Sequence, residues 1–176
     1  SRGLGDVYKR QVFIIVMIVM GLNQGMQPIA GYNFGAGQHA RVIKTLKLTI
    51  IYATCVTTFG FIVGMLFSDW VVSIFTSDAE LIALSAKGLR IVVMFFPIIG
   101  FQMVTANFFQ SIGMASKAIF LSLTRQMMVL LPCLIILPRF FGVAGVWYSM
   151  PISDLLASLI AGTMLVWQLR KFKAQA

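Results

Sequence analysis

The sequence predicts an all-α integral membrane protein, a bundle of about five transmembrane helices. The first observation is composition: 59% of the 176 residues are hydrophobic and 11% are charged, whereas soluble domains carry about 25% charged residues. The second is a mean hydropathy of +0.92. The third is the presence of apolar runs near the roughly 20 residues that a helix needs to cross a bilayer. A membrane β-barrel would instead show shorter segments in which apolar and polar residues alternate.

Five segments are long and apolar enough to be spans. They cover residues 12–31, 48–67, 91–112, 118–137 and 143–169. The first is interrupted by amides and a proline near its end, while the second and third contain no charged residue. The fourth contains Arg125 and the fifth contains Asp154. Charges at membrane depth are expensive, so these two side chains are expected to face protein or water.

The Lys and Arg residues predict the orientation of the bundle. The formal net charge is +9, and one side of the predicted spans collects seven basic residues: Arg41, Lys44, Lys47, Lys117, Arg170, Lys171 and Lys173. The other side collects three, Lys87, Arg90 and Arg139, together with acidic residues. Cytoplasmic loops carry the excess of Lys and Arg, so the C-terminus is predicted to be cytoplasmic. This topology accounts for the basic charge without a nucleic-acid partner.

The ends of the chain differ from its membrane portion. SRGLGDVYKRQ, residues 1–11, has no initiator Met, places basic residues on the predicted outer side and resembles translated sequencing-adaptor sequence. We predict that it is a non-native segment; the alternative is a polar cap before the first span. Residues 12–173 are predicted to form one membrane unit, with a tail at 174–176. Cys55 and Cys133 lie in apolar runs without metal-ligand spacing, so no metal site is predicted.

The glycine-rich stretch GYNFGAG, residues 31–37, is a poor nucleotide loop. A Walker A loop has Lys-Ser/Thr after its glycines, and a dinucleotide fingerprint follows a strand; neither pattern is present. The stretch instead predicts a helix end and a tight cytoplasmic turn. Pro28 is expected to bend the last turns of the first span, and His39 is expected to be a solvated loop residue.

Three motifs carry a resemblance to a known family. They are QGMQPIAGYNFGA at residues 24–36, RQMMVLLP at 125–132 and GVAGVWYSMPISD at 142–154. In order and spacing they resemble the eighth helix with its following loop, the eleventh helix and the start of the twelfth helix of MATE (multidrug and toxic compound extrusion) transporters. The resemblance is to the bacterial MepA- and DinF-like branch, which implies a multi-pass protein of the cytoplasmic (inner) membrane of a bacterium.

The resemblance implies that the five spans are helices 8–12 of a twelve-helix transporter with two six-helix lobes. The chain would then be most of the C-terminal lobe, with the N-terminal lobe as its partner. It also implies a secondary antiporter, without another cofactor, that exports lipophilic, often cationic drugs or metabolites in exchange for Na⁺ or H⁺ by alternating access. Some members bind sodium through an acid in helix 10; residues 91–116 contain none, so that site is not carried over.

Two other function classes remain to be weighed. A lipid-linked oligosaccharide or polysaccharide flippase of the same superfamily would be expected to carry more basic residues in its cavity, where Arg125 is the single candidate. A membrane-embedded enzyme needs a catalytic constellation at membrane depth, and one loop His with one intramembrane Asp does not supply it. A transporter is therefore the prediction, and an enzyme is not.

Polar residues in the spans are the candidates for the substrate cavity, since transporters place such groups near the membrane midplane. They are Gln24, Gln27, Gln102, Thr105, Asn107 and Gln110. The alternative is that they hydrogen-bond between helices and hold the lobe together.

Asp154 is the candidate for ion coupling, because a lone carboxylate in lipid needs a partner, a cation or a proton. The alternative is a structural acid that pairs with Ser153, a backbone group or Arg125, the second intramembrane charge. Prolines in the spans free carbonyl groups and allow bending. The hinge candidates are Pro28, Pro97, Pro132 and Pro151, and static kinks are the alternative.

Overall fold

A computed structural model of the chain describes the backbone of residues 2–74 and 76–174 and the side chains of residues 13–74 and 76–174. These residues form helices and short connections, without a strand. The helices are α1 Arg2–Gly35, α2 His39–Leu66, α3 Ser68–Ser73, α4 Ala79–Val93, α5 Phe96–Ser111, α6 Ala115–Leu123, α7 Leu131–Phe141 and α8 Val143–Ala174. A π-helical segment, Thr124–Leu130, joins α6 to α7. The predicted all-α class is confirmed.

Four stretches of the described chain are long and apolar enough to cross a membrane: Phe13–Gly35, His39–Leu66, Ala115–Phe141 and Val143–Ala174. A fifth crossing is formed if α4 and α5, which meet at an angle of 49°, are one bent span. The predicted third span, 91–112, therefore contains a break after Val93 that the apolar pattern did not indicate. Pro97 stands at the start of α5, and its ring is incompatible with a helix that continues past the carbonyl group of Val93.

The first helix continues beyond the predicted end of its span at residue 31. Pro28 lies inside α1, which ends at Gly35. The turn that follows is built on Gly37, whose φ of +70° is the left-handed conformation that ends many helices. The Gln38 amide then donates to the Asn33 carbonyl at 2.9 Å, which satisfies one of the last carbonyl groups of α1. Gly31 and Gly35, also expected in the turn, are helical.

The core lies where α1, α2 and α5 pack together. Its buried members include Val19, Met26, Leu46, Val104 and Phe108. Small residues allow the close approach that packing in lipid requires: a Cβ atom on Gly31 would lie 2.9 Å from the Ser111 carbonyl oxygen of α5. The large hydrophobic side chains left exposed, such as Phe13, Ile51 and Ile135, suit a surface in contact with hydrocarbon.

Candidate functional site

Arg125 and Asp154, the two charges predicted inside spans, form an ion pair. The Arg125 Nε donates to Asp154 Oδ1 at 2.8 Å. The carboxylate side chain is 7% exposed and the guanidinium side chain is 34% exposed. Of the partners considered for Asp154, the structure therefore selects Arg125, and each charge lowers the cost of placing the other at membrane depth.

A π-helical segment presents Arg125 to this pair. From Thr124 the backbone widens, and the Leu131 amide donates to the Gln126 carbonyl, five residues earlier. Pro132 follows directly and has no N–H group with which to restore the α-helical pattern. The Ser153 hydroxyl donates to the Arg125 carbonyl at 3.1 Å, so α8 holds both the backbone and the side chain of Arg125. Such π segments are frequent at functional sites.

A cleft of about 580 Å³ opens beside the ion pair. Its polar lining consists of Arg125, Gln126, Ser153 and Asp154. Its apolar lining comes from α1, α4, α5, the π-helical segment and α8, and comprises Phe13, Val16, Val92, Phe96, Ile99, Leu130 and Met150. The volume lies within the range of pockets that hold drug-sized ligands. Gln126 was not among the predicted site residues; its one signal in the sequence is its place next to Arg125 in a polar pair.

The predicted cavity amides lie away from this cleft. Gln27 donates to the Asn107 side chain at 3.0 Å, and Asn107 donates to the Met103 carbonyl at 2.9 Å. Thr105 donates to the Phe101 carbonyl at 2.8 Å. The Gln27–Asn107 bond joins α1 to α5, as in the alternative in which the polar groups hold helices together, whereas the other two bonds lie within α5. Of the six predicted cavity residues, Gln24 and Gln110 are the exposed ones. Gln110 lines a separate groove of about 340 Å³, together with Asn107 and other residues of α5 and α6.

Three buried amides among the described residues have unsatisfied side-chain atoms, and in Asn33 the unsatisfied atom is the oxygen. Asn23, 2% exposed, has no hydrogen-bond partner for either side-chain amide atom, and the Gln102 side-chain oxygen, in a residue 4% exposed, also has none among the described residues. Sequence analysis named Gln102 but gave Asn23 no role of its own. An amide left unsatisfied in this way is costly, because buried polar groups normally have a hydrogen-bond partner.

The proline candidates separate into two groups. Pro97 and Pro132 stand at the starts of α5 and α7, beside the 49° bend and the π-helical segment respectively. Pro28 and Pro151 lie inside the continuous helices α1 and α8. The first pair coincides with interruptions in the helices, which is where a hinge needs backbone freedom.

His39 is not the solvated loop residue that was expected. It begins α2, its ring stacks on Phe172 with centroids 4.9 Å apart, and it meets Phe34 edge-on at 6.0 Å. Beside it the Lys117 amine donates to the Gln168 side chain at 2.7 Å. The expectation was wrong because the partner residue lies 133 positions later in the chain, on the last turns of α8.

Comparison with known proteins identifies the family of this helical arrangement. A family model described as MatE matches residues 7–136. The chain belongs to the MatE family. The match includes the first two of the three motifs that suggested it, so that prediction is confirmed.

Individual MatE relatives agree with the branch that was predicted. The multidrug export protein MepA of Staphylococcus haemolyticus (strain JCSC1435) is 26% identical over 159 residues, covering 88% of this chain and 33% of that protein. MepA of Staphylococcus aureus (strain bovine RF122 / ET3-1) is 28% identical over 158 residues, covering 88% and 34%. The solved MATE multidrug transporter DinF-BH is 37% identical with a TM-score of 0.84, covering 90% and 35%. The chain thus spans about a third of the length of these relatives.

The MatE relatives bear on the function class as well as the fold. Their names are those of export proteins and transporters, not of enzymes, which agrees with the predicted class. The several long apolar helices likewise agree with a membrane-embedded protein.

Proposed function

We propose that this chain forms helices 8–12, most of the C-terminal lobe, of a MATE-type multidrug export antiporter. The observation that carries the proposal is the similarity to proteins named for multidrug export across 88% of the chain. Because the chain spans about a third of those relatives, the N-terminal lobe is its proposed partner. The same relatives favour drug export over the flippase alternative.

The proposed mechanism is alternating access without covalent chemistry. Lipophilic drugs or metabolites bind between the lobes on one side of the membrane, and the lobes rock to open the site on the other side. Influx of Na⁺ or H⁺ drives the cycle, which requires that the ion binds one conformation more tightly than the other. Asp154 is the candidate coupling group of this lobe, and an ion that binds there must compete with Arg125 at 2.8 Å.

The proposed setting is the cytoplasmic membrane of a bacterium, with the C-terminus in the cytoplasm. The bacterial relatives and the placement of Lys and Arg support it.

The test is ethidium efflux from cells that express the complete open reading frame encoding this chain. Wild type is expected to lower ethidium accumulation. The Asp154→Asn variant is expected to slow efflux at least roughly tenfold under imposed sodium or proton gradients. The neutral amide of asparagine has neither the negative charge nor the titrating proton that the proposed coupling requires. Efflux is followed by fluorescence after re-energising loaded cells.

The matched control is Asp69→Asn. Asp69 also pairs with an arginine, Arg90, at 2.8 Å, but that pair is exposed, at 63% and 47% respectively, and lies outside the cleft. Its loss is expected to leave efflux within about twofold of wild type, as exposed ion pairs contribute little. Equal efflux for wild type and Asp154→Asn under both gradients would remove Asp154 from the coupling mechanism, whereas absence of wild-type efflux would refute the export function itself.

A further inference from the structure

The guanidinium group of Arg125 uses only part of its hydrogen-bond donors in the described part of the chain. Its Nε is bonded to Asp154, while neither Nη atom has a hydrogen-bond partner within residues 13–74 and 76–174. An arginine side chain carries five N–H donors, four of them on the Nη atoms. Four donors therefore remain for a ligand.

The Nη atoms belong to the more accessible half of the ion pair. The Arg125 side chain is 34% exposed and lines the cleft, whereas the Asp154 side chain is 7% exposed. Ser153, the neighbouring hydroxyl, is already used as a donor to the Arg125 carbonyl. Of the two charged groups, a molecule that enters the cleft therefore meets the guanidinium group first, and the exposed Gln126 is the other polar side chain within reach.

Apart from Gln126, the remainder of the cleft is apolar. Phe96, Ile99, Leu130 and Met150 contribute side chains from three parts of the fold. In such surroundings a hydrogen bond between a guanidinium group and an anion is stronger than in water, and the planar fork of arginine matches a carboxylate in a bidentate geometry.

We propose that this cleft binds amphipathic molecules that combine an apolar body with a carboxylate group, and that the Arg125 Nη atoms bind the carboxylate. Asp154 is a positioning residue, since its bond to Nε fixes the plane in which the Nη donors point. The inference rests on the proposed export function and adds a substrate class to it: the exporter takes lipophilic carboxylates in addition to cations.

Three probes with one apolar body test the charge preference: 1-pyrenebutyrate, 1-pyrenebutanol and 1-pyrenebutylamine. The 176-residue chain is placed in phosphatidylcholine nanodiscs, and retention of each probe is measured by equilibrium dialysis against empty nanodiscs. Wild type is expected to retain the butyrate at least about tenfold more tightly than the butanol, as a charge-assisted hydrogen bond contributes that much, and the butylamine less tightly than the butyrate.

Two variants assign the preference to Arg125. Arg125→Gln is expected to bring the butyrate to the level of the butanol. Because this variant leaves the Asp154 carboxylate without its partner, the double variant Arg125→Gln/Asp154→Asn, which removes both charges, is measured beside it with the same expectation. Arg139→Gln is the control: Arg139 is an exposed arginine near the end of α7 and outside the cleft, so the variant is expected to retain the wild-type preference.

Equal retention of the three probes by wild type, or stronger retention of the butylamine, would overturn the proposal. So would an unchanged butyrate preference in the double variant. Loss of butyrate binding when phosphatidylglycerol replaces part of the phosphatidylcholine would assign the guanidinium group to a lipid headgroup and overturn it too. Binding is measured without transport, so these outcomes are independent of ethidium efflux by the complete protein, which tests the export function.

Discussion

At the residue scale, the sequence allowed the two intramembrane charges to be predicted as a pair. It did not indicate the backbone conformation around them or which of them is buried. Arg125 and Asp154 stand out in the sequence because each interrupts an apolar span, and mutual pairing was one of the stated alternatives. The sequence does not indicate that the chain widens into a π-helical segment at Thr124–Leu130, since that depends on how α8 holds the backbone of Arg125. Nor does it distinguish the buried member of the pair from the accessible one.

The pair is expected to contribute measurably to stability. In a double-mutant cycle of Arg125→Gln and Asp154→Asn, we predict a coupling energy of about 1–3 kcal/mol, because removal of one partner leaves the other charge poorly solvated. The measurement is unfolding of the chain in mixed micelles titrated with dodecyl sulfate. The Arg90–Asp69 ion pair has the same N···O distance but is exposed. The same double-mutant cycle on that pair is expected to give a coupling energy of less than about 1 kcal/mol. Equal coupling in the two cycles would contradict the assigned burial.

At the element scale, hydropathy predicted where helices exist but not how they bend or meet. Residues 91–112 contain no charged residue, and residues 91–101 around the break are apolar apart from Gly100. A hydropathy window therefore cannot register the break between α4 and α5, and Pro97 was the one local indication of it. The close approach of α1 and α5 at Gly31 was likewise hidden, because the sequence interpretation assigned that glycine to a turn. A single sequence does not indicate which helices become neighbours.

The α1–α5 contact predicts opposite effects for two glycines of one helix. In Gly31→Ala the new methyl group would lie 2.9 Å from the Ser111 carbonyl oxygen, so the variant is expected to lose about 1–3 kcal/mol of unfolding free energy. Gly25, six residues earlier in the same helix, has nothing within 4 Å of a Cβ position. Gly25→Ala is therefore expected to gain about 0.5–1 kcal/mol through helix propensity. The same mixed-micelle titration measures both, and equal effects would place the contact elsewhere.

At the scale of the whole molecule, two independent lines group the basic residues at one end. The contacts of His39 with Phe172 and of Lys117 with Gln168 bring the starts of α2 and α6 to the last turns of α8. These are the segments that carry the seven basic residues counted on the predicted cytoplasmic side. Arg90, from the opposite set, pairs with Asp69 of α3. The structure gives the grouping, and the side of the membrane stays a prediction from the positive-inside rule.

Cysteine labelling tests the side directly. In a background with Cys55 and Cys133 replaced by alanine, Ser77→Cys and Lys173→Cys each place one thiol at an exposed position. We predict that a membrane-impermeant maleimide applied to intact cells labels Ser77→Cys and leaves Lys173→Cys unlabelled until the cells are permeabilised. The reverse pattern would invert the bundle, and labelling of both thiols before permeabilisation would mean that the cells leak or that the topology is mixed. Labelling after permeabilisation is the internal control for each variant.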